Sequence, residues 1–282
     1  MEQTVKDVSV YYEIHGSGKP ILIIHGWSPD HRLMKGCMEP IFEASQPAWQ
    51  RIYFDLPGMG KTNGAPWITG SDAMLEIILG FIAAVIPDRR FLVVGESYGG
   101  FLARGLVARR PESVDGLMLL CPLTRPYAPT ENGMDKGEVP EPVVLERDEA
   151  LLARLDPEDR ESFQGINVLQ TARVWSRFKE EVLPALRIAD NDFLDNTLGQ
   201  DVPFKFEIDR PDRPFTRPAL FLMGRQDWAV GYRDQWRFLE CYPRASYVVL
   251  DKAGHNLQIE QDALFGALVR EWLERVAAET AA

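Results

Sequence analysis

The pentapeptide Gly95-Glu96-Ser97-Tyr98-Gly99 constrains this chain more than any other segment. The apolar run Phe91-Leu92-Val93-Val94 precedes it, and Phe101-Leu102-Ala103-Arg104-Gly105-Leu106-Val107, which can form a helix, follows. A serine on so tight a strand-to-helix turn is held in a strained backbone conformation that lifts its hydroxyl clear of the sheet. The flanking glycines are required because a side chain at either position would collide with the neighbouring strand or helix. The turn also puts the serine at a helix N-terminus, where backbone N–H groups can hold developing negative charge. The spacing alone also fits an ordinary turn, so the reading depends on what else the chain supplies.

A serine that attacks must lose its proton to a base, and the base needs an orienting acid. Of the four histidines, His15, His25, His31 and His255, the last follows the strand-like Tyr247-Val248-Val249-Leu250 on a loop. Asp227 lies just past another such run, Leu220-Phe221-Leu222-Met223. Ser97, Asp227 and His255 are therefore the candidate nucleophile, acid and base. A third buried run, Ile21 to Ile24, ends in His25-Gly26-Trp27. From there the N–H of Trp27 can point to the same spot as the N–H of Tyr98, giving a two-donor oxyanion hole. His25 reads as a brace for that loop. His15 and His31 read as surface or loop residues without a role. Glu96 could tune the site, but a residue before the elbow serine usually faces away, so it reads as structural; Asp55 could contact the base, but Asp-Leu-Pro-Gly more often builds a turn. Trp175, Phe178 and Trp228 are candidate substrate contacts, with packing as the alternative for each.

These pieces, together with Asp55-Leu56-Pro57-Gly58-Met59-Gly60, Gly224-Arg225-Gln226-Asp227 and Gly254-His255, resemble the α/β-hydrolase superfamily. The resemblance is to its lid-bearing members: small esterases, carbon–carbon bond hydrolases, proline iminopeptidases, epoxide hydrolases and haloalkane dehalogenases. The chain order serine, aspartate, histidine is that of the superfamily. Serine in place of aspartate as nucleophile argues against dehalogenase and epoxide hydrolase chemistry. Gly-Glu-Ser-Tyr-Gly departs from the Gly-Gly-Ser-Trp-Gly usual in iminopeptidases. The resemblance implies a mostly parallel central sheet flanked by helices, with a helical cap inserted after the sixth strand.

The rest of the chain fits that expectation. Strand-like runs at Val8–Ile14, Arg51–Asp55 and Val114–Leu120 alternate with helical ones at Met74–Ile86 and after the elbow, the pattern of βαβ units. Ser71 or Asp72 is the expected cap of the first helix. The rhythm breaks after Cys121. Residues 122–212 are rich in proline and charge, show no strong strand, and give helical patterns over Glu146–Leu155 and, with a break, Asp159–Leu186. Residues 1–121 and 213–282 are thus read as the core and 122–212 as the cap. The final helix is expected over Ala263–Val276, with Leu264, Leu268 and Trp272 on one face and Phe265, Val269 and Leu273 on another.

With 42 acidic against 31 basic residues the net charge is −11, which disfavours nucleic acid and anionic membrane as partners. Three scattered cysteines, Cys37, Cys121 and Cys241, give no disulfide framework or metal spacing and read as reduced, mostly buried thiols. No secretory or membrane-spanning run is visible, so a cytoplasmic enzyme, monomer or homodimer, is expected. The expected activity is cleavage of a small carboxylic ester by the Ser97–His255–Asp227 triad, with no cofactor and no metal. Two alternatives stay open: the same triad acting on a carbon–carbon or N-terminal peptide bond, and a non-catalytic ligand-binding receptor on the same fold.

Overall fold

Runs of β-branched and leucine residues too apolar to face water on either side make buried parallel strands, and four such runs form the centre of this molecule. A computed structural model describes residues 1–42, 48–125, 128–130, 133–135, 137–200, 202–210 and 212–280. The remaining positions of the expected core and cap lie outside the described residues. The main sheet has eight strands: β1 (Glu2–Val5), β2 (Val8–His15), β3 (Lys19–Ile24), β4 (Trp49–Phe54), β5 (Phe91–Glu96), β6 (Val114–Leu120), β7 (Ala219–Gly224) and β8 (Ala245–Leu250). Their order is β1-β2-β4-β3-β5-β6-β7-β8. β1 and β2 pair antiparallel at one edge, and every pair from β4 to β8 is parallel.

Side chains alternate to the two faces. Leu22, Ile24, Val93, Leu119 and Phe221 meet helices α2 (Ser71–Val85) and α3 (Tyr98–Arg109). Ile21, Ile23, Leu92, Val94, Leu120 and Leu222 meet α1 (His31–Phe42) and α10 (Asp262–Thr280). In α10 the buried stripe is Phe265, Val269, Trp272, Leu273 and Val276, while Leu264 is half exposed. The second of the two expected faces is the core one, joined by Trp272. α1 carries Gly36 and Pro40, which hide it from a propensity reading. Its apolar side, Leu33, Met34, Cys37, Met38 and Ile41, overrides them by packing on the sheet. α2 begins at Ser71 with neither Ser71 nor Asp72 as a side-chain cap. The Ser71 hydroxyl is instead bonded to Tyr98 Oη at 2.9 Å.

Between β6 and β7 the described residues include five short α-helices: α4 (Glu149–Leu152), α5 (Pro157–Gln164), α6 (Ala172–Glu181), α7 (Leu183–Leu186) and α8 (Asn191–Asn196). The expected long helices are broken. Asp148 caps α4 and Thr171 caps α6, each accepting a backbone N–H. Between them Glu146–Arg147 and Leu169–Gln170 pair as a two-residue parallel ladder, and Ala128–Thr130 pairs with Gly133–Asp135. This insertion does not float. Phe163, Val174 and Phe178 join the core shared by α1 and α10, and Phe193, Leu194 and Leu198 join the other. Gly36 of α1 exists for this contact, since a Cβ there would lie 2.4 Å from Glu181 Cδ of α6. Among the described residues no helix is long and apolar enough to cross a membrane. All three cysteines are free and buried.

Candidate active site

The strand-to-helix turn is built as the glycines demand. A Cβ on Gly95 would lie 2.3 Å from the Gly99 carbonyl oxygen, and one on Gly99 would lie 2.4 Å from that of His25. Backbone therefore passes backbone here with no space for a side chain. Ser97, between them, has φ 51° and ψ −118°, outside the comfortable regions for an L-residue. It is held there by its own N–H, which donates to Leu120 O of β6 at 3.0 Å, and by its carbonyl, which accepts from Gly100, Phe101 and Leu123.

Two loops at the same edge of the sheet bring the other groups in. Asp227, fully buried after β7, accepts from the N–H groups of Ala229 and Val230 at one carboxylate oxygen. The other lies 2.9 Å from His255 Nδ1. His255 Nε2 in turn lies 2.9 Å from Ser97 Oγ. Because an ionised carboxylate can only accept, Nδ1 carries the imidazole proton and Nε2 is left to accept from the serine hydroxyl. Burial disfavours the imidazolium, but the Asp227 carboxylate outweighs it and pushes the His255 pKa up to about 9. Ser97, Asp227 and His255, singled out at three distant places in the sequence, thus form one hydrogen-bonded chain.

Trp27 and Tyr98 sit beside it, their rings edge to face at 5.1 Å. Among the described residues neither backbone N–H is spent in a hydrogen bond, so both remain available to an incoming oxygen. The loop before them is locked by His25. The Leu56 N–H donates to its Nε2 at 3.0 Å, which forces Nδ1 to carry the proton donated to Gly26 O at 2.8 Å. Burial keeps this ring neutral by lowering its pKa.

Comparison with known proteins bears directly on this arrangement. The family model described as alpha/beta hydrolase fold matches residues 19–262. The chain belongs to the α/β-hydrolase fold family. Its relatives include two proteins called pimeloyl-[acyl-carrier protein] methyl ester esterase. One, from Legionella pneumophila, is 22% identical over 95% of this chain and all of its own length; the other, from Aeromonas salmonicida, is 27% identical over 93% and 98%. Among solved structures, an alpha/beta superfamily hydrolase from Oenococcus oeni superposes with a TM-score of 0.85 at 28% identity, covering 98% of this chain and 99% of its own.

Other candidates in this α/β hydrolase fall elsewhere. Phe178 is fully buried against Phe163 and Trp175, centroids 5.4 and 6.2 Å away, and presents no surface to a ligand; Trp175 is partly exposed. Trp228, next to the acid, donates its indole N–H to Gly165 O of the insertion at 3.1 Å. His31 is not a surface residue. It is buried, with Nδ1 2.7 Å from Asp55 and Nε2 3.2 Å from Glu13. Asp55 therefore serves His31 and the Lys61 N–H. It is more than a turn former, and it does not reach His255. Burial raises its carboxyl, but the His31 hydrogen bond, the nearby His25 and His31 rings and the Lys61 N–H together outweigh this and the net shift is downward. Among the described residues, two groups bring metal-ligand types within 4.8 Å of each other: Cys121, Asp227 and His255, and Asp30, His31 and Asp55. In both, the donor atoms are engaged in the hydrogen bonds just given or in their neighbours, Cys121 Sγ to Gly254 O and Asp30 to Arg32.

Of two buried carboxylates here, Glu260 escaped the sequence reading and Glu96 departs from the structural role favoured for it. Glu96 does not face away; it lies under Gly26, against the catalytic edge. Glu260, at the end of the short helix α9 (Leu257–Glu260), accepts the N–H groups of Val168 and Leu169 at 2.6 and 3.0 Å with one oxygen. Its other oxygen accepts that of Gly254, also at 2.6 Å. Burial drives this carboxyl up to about 7 against those three donors. Glu260 thereby staples the insertion's short ladder to the residue preceding His255. Glu260→Ala strands three buried donors, and a loss of about 3 kcal/mol or more in urea unfolding is expected; a loss below about 1 kcal/mol would mean that water replaces the carboxylate.

Proposed function

We propose that this α/β hydrolase cleaves small carboxylic esters through an acyl-enzyme. The reading is carried by the unbroken chain Asp227–His255–Ser97, with both links at 2.9 Å. His255 takes the Ser97 proton as Oγ attacks the ester carbonyl. Asp227 keeps the ring in the attacking tautomer and stabilises the imidazolium that forms. The developing oxyanion is received by the N–H groups of Trp27 and Tyr98, donors already fixed in place and so costing no reorganisation. His255 Nε2 then protonates the departing alkoxide, and water repeats the sequence at the acyl-serine to release the acid.

In this reading residues 122–212 are a cap that roofs the cleft and sets substrate size, while the chemistry belongs to the core. The insertion holds 20 acidic and 11 basic residues. Its field opposes a bulky anionic partner, which favours free, small esters over esters borne on an acidic carrier. The related esterases make the ester the favoured scissile bond.

The test is kcat/KM over p-nitrophenyl acetate to octanoate and over methyl esters of mono- and dicarboxylic acids, with a dienone and an N-terminal prolyl peptide alongside. Steady ester turnover, with an acyl group trapped on the Ser97 peptide by mass spectrometry, is expected. Turnover confined to the dienone or the peptide would reassign the bond, and binding with no turnover of any of them would favour a receptor.

A further inference from the structure

His255 Nε2 has two oxygens within reach. Ser97 Oγ is at 2.9 Å, and Glu96 Oε1 is at 3.4 Å. Glu96 is almost wholly buried, and among the described residues its Oε2 has no hydrogen-bond partner. The carboxylate is wedged so tightly under the oxyanion loop that a Cβ on Gly26 would lie 2.3 Å from Oε2. Burying an unpaired carboxylate is costly, and the groups that ease this one are the His255 ring and, less strongly, the backbone N–H of Gly26.

We propose that Glu96 is a second carboxylate partner of His255, accepting the Nε2–H of its imidazolium form and so setting the pH at which Nε2 is free to accept from Ser97 and the triad becomes competent. The proposal rests on the serine-hydrolase reading above. The Glu96 charge favours the imidazolium, which cannot act as base, and makes it persist to higher pH; without that charge Nε2 is freed to the serine at lower pH. The other charged groups facing the pair are Asp227 and, towards the histidine, Glu260; the thiols of Cys37 and Cys121 lie near Glu96 and are held protonated by burial. Burial pushes the Glu96 carboxyl up to about 7, with His255 opposing the shift, so its ionisation falls in the working range. The two groups titrate as a coupled pair.

The sign follows directly. Removing the Glu96 charge removes a term that holds His255 protonated, so the free base persists to lower pH. Glu96→Gln is expected to move the acid limb of the kcat/KM profile down by about one pH unit or more, and Glu96→Asp, with its carboxylate drawn back by one methylene, to lie between. The same shift is expected without turnover, in the NMR titration of the His255 ring compared between Ser97→Ala and the Ser97→Ala/Glu96→Gln double variant. An unchanged limb together with an unchanged ring titration would overturn the proposal. Should Ser97→Ala retain turnover, the hydrolase reading falls while the ring titration still decides the role of Glu96.

Discussion

Ser97→Ala is expected to lower kcat for a p-nitrophenyl ester by about 10⁴-fold or more. The hydroxyl is the only atom removed, and its one side-chain bond is to His255. The strained backbone at this residue is imposed by Gly95, Gly99 and β6, none of which the substitution touches, so the unfolding midpoint should stay near that of the parent. Activity and stability therefore separate in this variant. Near-parental turnover would sink the assignment of Ser97 as nucleophile, whatever the unfolding curve shows.

The second large effect belongs to the acid. Asp227→Asn retains an oxygen for the N–H groups of Ala229 and Val230, so the loop keeps its shape. The amide nitrogen that replaces the second oxygen can only donate. It turns His255 Nδ1 into an acceptor and puts the ring proton on Nε2, facing Ser97. A loss on the order of 10⁴-fold in kcat is expected from this wrong tautomer. A loss under about tenfold would show that the ring does not depend on Asp227 for its tautomer. Asp55 is bonded to His31 and Glu96 faces Nε2, so neither stands where Asp227 does at Nδ1.

What could be read from the chain in advance was local. Apolar runs followed by turn residues marked β3, β5, β7 and β8, and each candidate catalytic residue lies just past one of them, so strand ends and site came together. The interior of the insertion was not legible in that way. Its helices stop at Gly165 and restart at Thr171 because Val168 and Leu169 are held by Glu260, more than ninety positions downstream, and no window of sequence contains both partners. His31 was misjudged for the same reason. A histidine beside Asp30 and Arg32 looks solvated, and only the pairing of β2 with β4 brings Glu13 and Asp55 around it. α1 was hidden by Gly36 and Pro40, residues whose local preference is overruled by the sheet beneath and by α6 crossing above. Glu96 was misplaced because its direction depends on Gly26, which lies on a different strand's end and leaves room for it.

The Glu260 staple bears on how hydrolases of this shape can be re-engineered. Exchanging the region between β6 and β7 for that of another protein is an obvious route to new specificity, since no candidate triad residue is lost. Here the exchange would remove two of the three donors on a buried carboxylate that also holds Gly254, one residue from His255. A graft without two N–H groups in the place of Val168 and Leu169 would leave that carboxylate unsatisfied and the histidine's loop unmoored. The insertion and the loop that carries His255 are thus transplanted together or not at all.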